Sequence, residues 1–366
     1  MKKNPLLYCF FIVLLGLTIF DIFKEDKKFS ELENRVLKTK VKFSFEKYFD
    51  GSFQKRYEEY MNDQFVFRDN WIDLKSRSEF LLGKIENNNI IYGGNNYLFE
   101  KFTYINKSRV DVNIDAINEL IKNIDRNVTT IISPNSYEIY NELLPKGAPQ
   151  VNQMEELENL YSVINGGNKI NLTNIMKSSK DSGLFYRTDH HWTTDGAYLA
   201  YSEYMKSIGE KPINLDKYNK TIVNDFYGTY YSKAKPFNIE PDKLIYYDFN
   251  GVSMTIDEDK YNSMYDYSKL EVRDKYSLFL YGNNPLTVIK NSLINNNKKL
   301  IVFKDSYANS MIPFLTQNFE EIHVVDLRSF SKKVSEYIEE NNFDEVLILY
   351  NYINFNRDAN ILKLKS

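Results

Sequence analysis

The stretch "KKLIVFKDSYANSMIPFLTQNFEEIHVVDLRSFSKKVSEYIEENNFDEVLILYNYINF" (residues 298–355) decides the fold. Its apolar, β-branched runs LIVF, IHVV and VLILY have the length of strands. The segments between them, ANSMIPFLTQNF and SKKVSEYIEENN, read as helices. The order is β-α-β-α-β. Near-continuous apolar strands separated by helices belong in a parallel sheet covered by those helices. The class is α/β, with a parallel central sheet, and in such sheets functional groups gather at the carboxyl ends of the strands.

Working back from this stretch, residues 212–290 are rich in Tyr, Asn, Asp and Lys and hold short alternating runs such as KLIYYDF. They read as an irregular, β-containing insertion that carries a surface. A helix is predicted over 194–208, stopping at Gly209. Others are predicted over 155–164 and 110–123, with a buried strand NVTTIISPN at 127–135 and a short strand or loop at KINLTNI. Two apolar runs around Gly93-Gly94-Asn95-Asn96 give a hairpin signal. Phe53, Tyr57, Tyr60 and Met61 recur at helical spacing and mark an amphipathic helical region. The resulting division is an N-terminal segment 1–24, a charged stalk and helical region 25–85, and an α/β domain 86–366.

The first segment, MKKNPLLYCFFIVLLGLTIFDIF, sets the expected compartment. Its uncharged apolar run from Pro5 to Phe20 is slightly short of the ~20 residues that comfortably span a bilayer. Lys2 and Lys3 favour a cytoplasmic N-terminus. No small-x-small cleavage site follows, so an uncleaved transmembrane signal anchor is expected, with the remainder extracytoplasmic. Cys9 is the single cysteine, which excludes an intrachain disulfide; Tyr8 before it is too bulky for a lipoprotein site. A net charge of -3 on 366 residues argues against a general nucleic-acid binder.

Polar groups at predicted strand ends define the candidate site. Ser306 follows LIVFKD and precedes a predicted helix. An exposed hydroxyl there, beside backbone N–H groups, suits an acyl-transfer nucleophile, although serine is also a favoured helix cap. The chain has 3 histidines, and two stand together in Asp189-His190-His191-Trp192. In an extended segment Asp189 and His191 share a side and His190 turns away. A carboxylate beside an imidazole fixes its tautomer and supports the imidazolium formed when it accepts a serine proton. Trp192 supplies an apolar wall. Asp195 is a competing carboxylate, explained by its place in a first helical turn. Asn351, Asn354 and Arg328 lie at or past the ends of their strands, where an amide or guanidinium can face an oxyanion. Tyr307 is a further oxyanion or substrate candidate. Zinc is the rival reading of the histidine pair. With only His323 elsewhere and no H-E-x-x-H or C-x-x-C, no metal and no cofactor are expected.

At these residues the sequence resembles the DHHW proteins, which belong with the AlgX/AlgJ-like branch of SGNH-hydrolase-like proteins that work in polysaccharide O-acetylation. The likeness rests on DHHW and the distal DSY. FSELENRVL (29–37), YMNDQFVFRDNW (60–71), IIYGGNNYLFE (90–100) and VFKDSYANSMIPFL (302–315) support it. The resemblance implies a three-layer SGNH-hydrolase-like domain, circularly permuted because Asp and His precede Ser. It implies a catalytic triad of Ser306, His191 and Asp189. Lys304 stands where the family block has Gly, LYNYIN replaces G-x-N-D, and no glycine follows VVDL. The implied activity is transfer of acetyl groups to a cell-surface or secreted polysaccharide, with a membrane-bound O-acyltransferase partner supplying the acetyl group. A carbohydrate esterase with the same triad, and a non-catalytic polysaccharide-binding or scaffold subunit of an export complex, are the alternatives.

Overall fold

The computed structural model describes residues 4–30 and 35–366. Lys2, Lys3 and residues 31–34 of FSELENRVL lie outside them. The chain divides into two compact units, Met1–Lys84 with Ser232–Asn238, and Ile85–Tyr231 with Ile239–Ser366.

The first unit opens with helix α1, Pro5–Phe23, in which no residue is buried. Among the described residues it is the one helix long and apolar enough to cross a membrane. At 19 residues and ~1.5 Å per residue it approaches the ~30 Å hydrocarbon thickness of a bilayer. It runs three residues past the apolar stretch read from sequence. Asp21 near its end bonds Lys24 at 2.7 Å and accepts the Val66 N–H at 3.2 Å. Helices α2, Ser52–Gln64, and α3, Arg68–Leu81, follow. Asp63 at the end of α2 is buried and accepts from Arg35 and from the Lys38 N–H. The Arg35 guanidinium, against burial, holds that carboxyl below its usual range.

The second unit is built on a sheet that has eight strands among the described residues. In chain order they are β1 Asn127–Ser133, β2 Asn168–Lys169, β3 Val252–Ile256, β4 Asp259–Tyr261, β5 Leu286–Asn291, β6 Lys299–Lys304, β7 Glu321–Val325 and β8 Glu345–Asn351. The spatial order is β4-β3-β5-β7-β6-β8-β1-β2. Strands β7, β6, β8, β1 and β2 pair in parallel, while β5, β3 and β4 add antiparallel. The sheet is thus mixed and largely parallel, not wholly parallel as the C-terminal stretch alone implied. The antiparallel strands β3 and β4 come from within 212–290, so part of this stretch completes the central sheet. The rest includes an antiparallel pair, Lys220–Phe226 with Asp242–Tyr247.

The core follows from composition. Leu300 to Phe303 and Val346 to Leu349 are fully buried, as apolar strands covered on both faces must be. Register then aligns the carboxyl ends. Lys304 lies opposite Leu349, and Asn351 opposite Ser133. The chain leaving β6, β8 and β1 therefore emerges at one edge, with Asp305, Asn351 and Asn135 together.

One local expectation changes and another holds. The segment after Ser306 is a 3-10 turn, Ser306–Ser310, then a four-residue helix, Ile312–Leu315. Ser and Asn favour turns, and Pro313 can only sit in a first helical turn. No long helix dipole stands behind the serine. The expected hairpin forms, with Asn95 and Asn96 at positive φ between Ile90–Tyr92 and Leu98–Glu100.

Candidate active site

Asp305 caps the turn after β6, its Oδ1 accepting the Tyr307 N–H at 2.9 Å. The cap role open to Ser306 is therefore filled by its neighbour, and the serine hydroxyl is left for another partner. Ser306 Oγ lies 2.8 Å from His191 Nε2. His191 Nδ1 lies 2.5 Å from Asp189 Oδ1. Asp189 and His191, two residues apart, and Ser306, 115 residues beyond His191, form one hydrogen-bonded line. Ser306 is partly exposed, while His191 and Asp189 are buried.

Asp189 is held on every side. Its Oδ1 also accepts the His191 backbone N–H at 3.0 Å, and its Oδ2 accepts the Thr229 N–H at 2.7 Å. Burial alone would push this carboxyl up. Electrostatic attraction to His190 and His191 and the bonds from His191 and Thr229 outweigh it and hold the group well below the carboxylate range. Gly228 makes this approach feasible, since a Cβ there would fall 2.2 Å from Asp189 Cβ. The residues after Asp189 are not extended. They form bends closed by the aspartate on its own backbone. His190 is consequently not turned away: its Nδ1 is 3.6 Å from Asp189 Oδ1 and its ring is 3.7 Å from the His191 ring. Asp189, His190 and His191 bring ligand-type atoms within 4.8 Å of one another, but both Asp189 oxygens are already engaged.

Two aromatic residues hold the imidazole and the serine turn. Tyr276 stacks on His191 with ring centroids 3.6 Å apart and planes 9° apart. Its hydroxyl donates to the Ser306 carbonyl at 3.0 Å and lies 3.1 Å from Ser310 Oγ. Trp192 is fully buried, and its Nε1–H donates to the Tyr307 carbonyl at 2.8 Å and to Ser310 Oγ at 3.0 Å. The Asp-His-His-Trp run thus provides the acceptor, the imidazole and a latch onto the turn that begins at Ser306.

The other sequence candidates are engaged elsewhere. Asn351 Nδ2 donates to Asp305 Oδ2 at 2.6 Å, and its Oδ1 accepts from Asn354 N–H and Asn135 Nδ2. Asn354 Nδ2 also donates to Asp305, at 3.0 Å. These amides serve a buried carboxylate whose pKa burial pushes up. Arg328 closes on Asp326, two residues before it. The Tyr307 hydroxyl donates to the His190 carbonyl and its N–H to Asp305. Asp195 lies in the first turn of helix Thr194–Ser207, with no bond to His191. Lys304 is buried and donates to Asn283 and Asn309 at 2.6 and 2.7 Å; burial lowers its pKa to about 8. Sequence reasoning missed Gly228, Thr229 and Tyr276. The short FYGTYY run around Gly228 was the only signal, a glycine in an aromatic stretch where backbone must approach closely.

An α/β fold carrying a hydrogen-bonded Ser-His-Asp array at the carboxyl ends of its strands defines the class. The chain belongs to the DHHW family: the family model described as DHHW protein matches residues 91–325, well over half of its length. Among solved structures it is similar to a DHHW family protein from Eubacterium siraeum DSM 15702, at 20% identity and a TM-score of 0.68, covering 77% of this chain and 96% of that one. It is also similar to Bacillus cereus PatB1 with a sulfonyl adduct, at 22% identity and TM-score 0.63, covering 76% and 98%. The O-acetyltransferase domain of Pseudomonas putida AlgJ aligns more loosely, at 14% identity and TM-score 0.49, covering 75% and 98%. No curated protein matches the chain.

Proposed function

We propose that this protein is a membrane-anchored extracytoplasmic O-acetyltransferase that acetylates a polysaccharide through Ser306, His191 and Asp189. The observation that carries the reading is the unbroken line from Ser306 Oγ through the His191 ring to Asp189, at 2.8 and 2.5 Å. His191 Nε2 takes the serine proton as Oγ attacks the carbonyl carbon of a donor acetyl ester. Asp189 holds Nδ1–H and balances the imidazolium. The Nε2 proton then passes to the departing donor oxygen, leaving acetyl-Ser306. In the second half a sugar hydroxyl gives its proton to Nε2 and attacks the acetyl carbon, and the same proton returns to Ser306 Oγ as the acetylated sugar leaves. The Ser306 backbone N–H makes no hydrogen bond among the described residues, so it is open to serve as an oxyanion donor.

In this reading the domain is a three-layer, circularly permuted SGNH-hydrolase-like fold over about 86–366, behind a stalk and helical region at 25–85. Helix α1 is the anchor, with the N-terminus cytoplasmic. The acetyl group arrives from a membrane-bound O-acyltransferase. An esterase differs only in the second acceptor, water in place of sugar.

The test uses the full chain in detergent. A sulfonyl fluoride probe, chosen because PatB1 has been solved with a sulfonyl adduct, should modify Ser306, as located by peptide mass spectrometry. The label should vanish in Ser306→Ala and fall strongly in His191→Ala. An unlabelled serine in folded protein refutes the triad. Free acetate without acetylated oligosaccharide, from an acetyl-ester donor, replaces the transferase with an esterase.

A further inference from the structure

A cavity of about 430 Å³ opens on the second unit, between the ends of the Lys220–Phe226/Asp242–Tyr247 pair and the turn after β4. Its volume falls within the ~300–1,000 Å³ usual for small-ligand sites. The lining combines aromatic rings with short planar polar groups. Tyr218, Phe249 and Tyr267 supply the rings; Asn219, Asp248 and Asn262 supply amides and a carboxylate. Tyr267 is 48% exposed.

The state of these polar groups is informative. The backbones of Asn219 and Asp248 are tied to each other, the Asp248 N–H donating to the Asn219 carbonyl at 3.0 Å. Their side chains, and that of Asn262, make no hydrogen bond among the described residues. Elsewhere in this unit Asn and Asp side chains routinely close on nearby backbone, as Asn291, Asp305 and Asn351 do. Here a carboxylate and two amides line the cavity with no hydrogen bond to other described residues. The floor is rigid: Tyr265 is buried, and its hydroxyl donates to the Tyr247 carbonyl at 2.8 Å.

We infer that this cavity is a sugar-binding subsite that holds a neutral pyranose unit of the acceptor chain. This rests on the reading of the acceptor as a polysaccharide. A pyranose presents an apolar face of C–H bonds, which packs on an aromatic ring, and an equator of hydroxyls that both donate and accept. Asn amides offer both roles, and an ionised Asp accepts strongly from hydroxyls. Lys217 at the rim leaves the lining without a strong excess of either charge. The subsite and the triad share one packed aromatic cluster. Ring centroids run 5.9 Å from Tyr265 to Phe279, 5.4 Å from Phe279 to Tyr276, and 3.6 Å from Tyr276 to His191. A sugar held in the cavity is therefore fixed in the frame that holds the imidazole.

Binding is measured in the full-length Ser306→Ala protein in detergent, so that it is independent of turnover. The probes are cellotetraose, chitotetraose, maltotetraose and mannotetraose, followed by saturation-transfer NMR and titration calorimetry. At least one should bind, and Tyr267→Ala and Asn219→Ala should each weaken it tenfold or more. Both are surface positions, and an unchanged thermal midpoint confirms that each variant folds. The inference is overturned if no tetrasaccharide binds, or if binding survives both substitutions. Retained, pocket-dependent binding in a chain whose serine never labels would remove the transferase reading and leave the subsite standing. A labelled serine without pocket-dependent binding would remove the subsite alone.

Discussion

Replacing Gly228 with alanine tests the geometry of the site at a residue that takes no part in proton transfer. Gly228 is not among the glycines with positive φ, so space alone excludes a side chain. The new Cβ would stand 2.2 Å from Asp189 Cβ and 2.4 Å from its Oδ2. Favourable carbon–carbon contact begins near ~3.5 Å, so the loop or the carboxylate must shift by more than about 1 Å. The Thr229 N–H bond to Oδ2, at 2.7 Å, cannot survive that movement. A hydrogen bond to a charged group contributes about 1.5–3 kcal/mol, and overpacking costs about 1–3 kcal/mol. With partial relaxation, a loss of about 3 kcal/mol is expected. A displacement of about 1 Å in a catalytic group lowers rate by roughly 10²-fold. Initial rates of p-nitrophenyl acetate hydrolysis and a thermal unfolding scan on the full chain read both effects. The expected result is a kcat near one hundredth of the parent, KM little altered, and a Tm several degrees lower. A Gly228→Ala protein within twofold of the parent in rate, with an unchanged Tm, would show that this loop does not hold Asp189.

Other substitutions separate the roles of the surrounding groups. Asp189→Asn should lower kcat by about 10³–10⁴-fold with intact folding, because an amide cannot accept from both His191 Nδ1 and Thr229 N–H, and the flipped tautomer points a proton at Ser306; steady-state kinetics decide it. The same variant should change acid stability. The folded-state pKa of Asp189 is depressed, so its contribution is present above the unfolded value near 3.8 and is lost as pH falls below it. Between pH 4 and 2 the parent should lose stability faster than Asp189→Asn in urea titrations, and parallel loss would refute the assignment. Trp192→Phe deletes the donor to the Tyr307 carbonyl and Ser310, and should cost about 1–3 kcal/mol for the acceptor left buried, read as a lower urea midpoint. Tyr276→Phe keeps the stack on His191 and loses only the hydroxyl bonds, so it should retain more activity than Tyr276→Leu. Equal rates in the two variants would deny the ring a positioning role.

The parallel half of the fold was legible because LIVF, IHVV and VLILY can be satisfied only between two covering layers. The antiparallel half was not. The short, polar-flanked strands β3 and β4 gain their identity from pairing with β5, and no local periodicity records a partner. At the site, Asp189, His191 and Ser306 could be read as a group because each is a chemically marked residue in a marked position. For Asn351 and Arg328 the present partners were not legible. They stand at strand ends, yet Asp305 and Asp326 beside them take their donors, and sequence does not say which of two nearby acceptors an amide or guanidinium will choose. The bend at 189–192 escaped reading because it is closed by the aspartate's own side chain. Gly228 and Tyr276 reach the triad through loops, where contact leaves no spacing to detect.

The position of Trp192 has an optical consequence. The chain has two tryptophans. Trp71 is 46% exposed, whereas Trp192 is fully enclosed, with its indole N–H bound to the Tyr307 carbonyl next to Ser306. With Trp71 changed to Phe, the remaining tryptophan is the one bonded to the turn that carries Ser306. Formation and breakdown of a covalent intermediate on Ser306 should then appear as a change in emission, in real time and without any added dye.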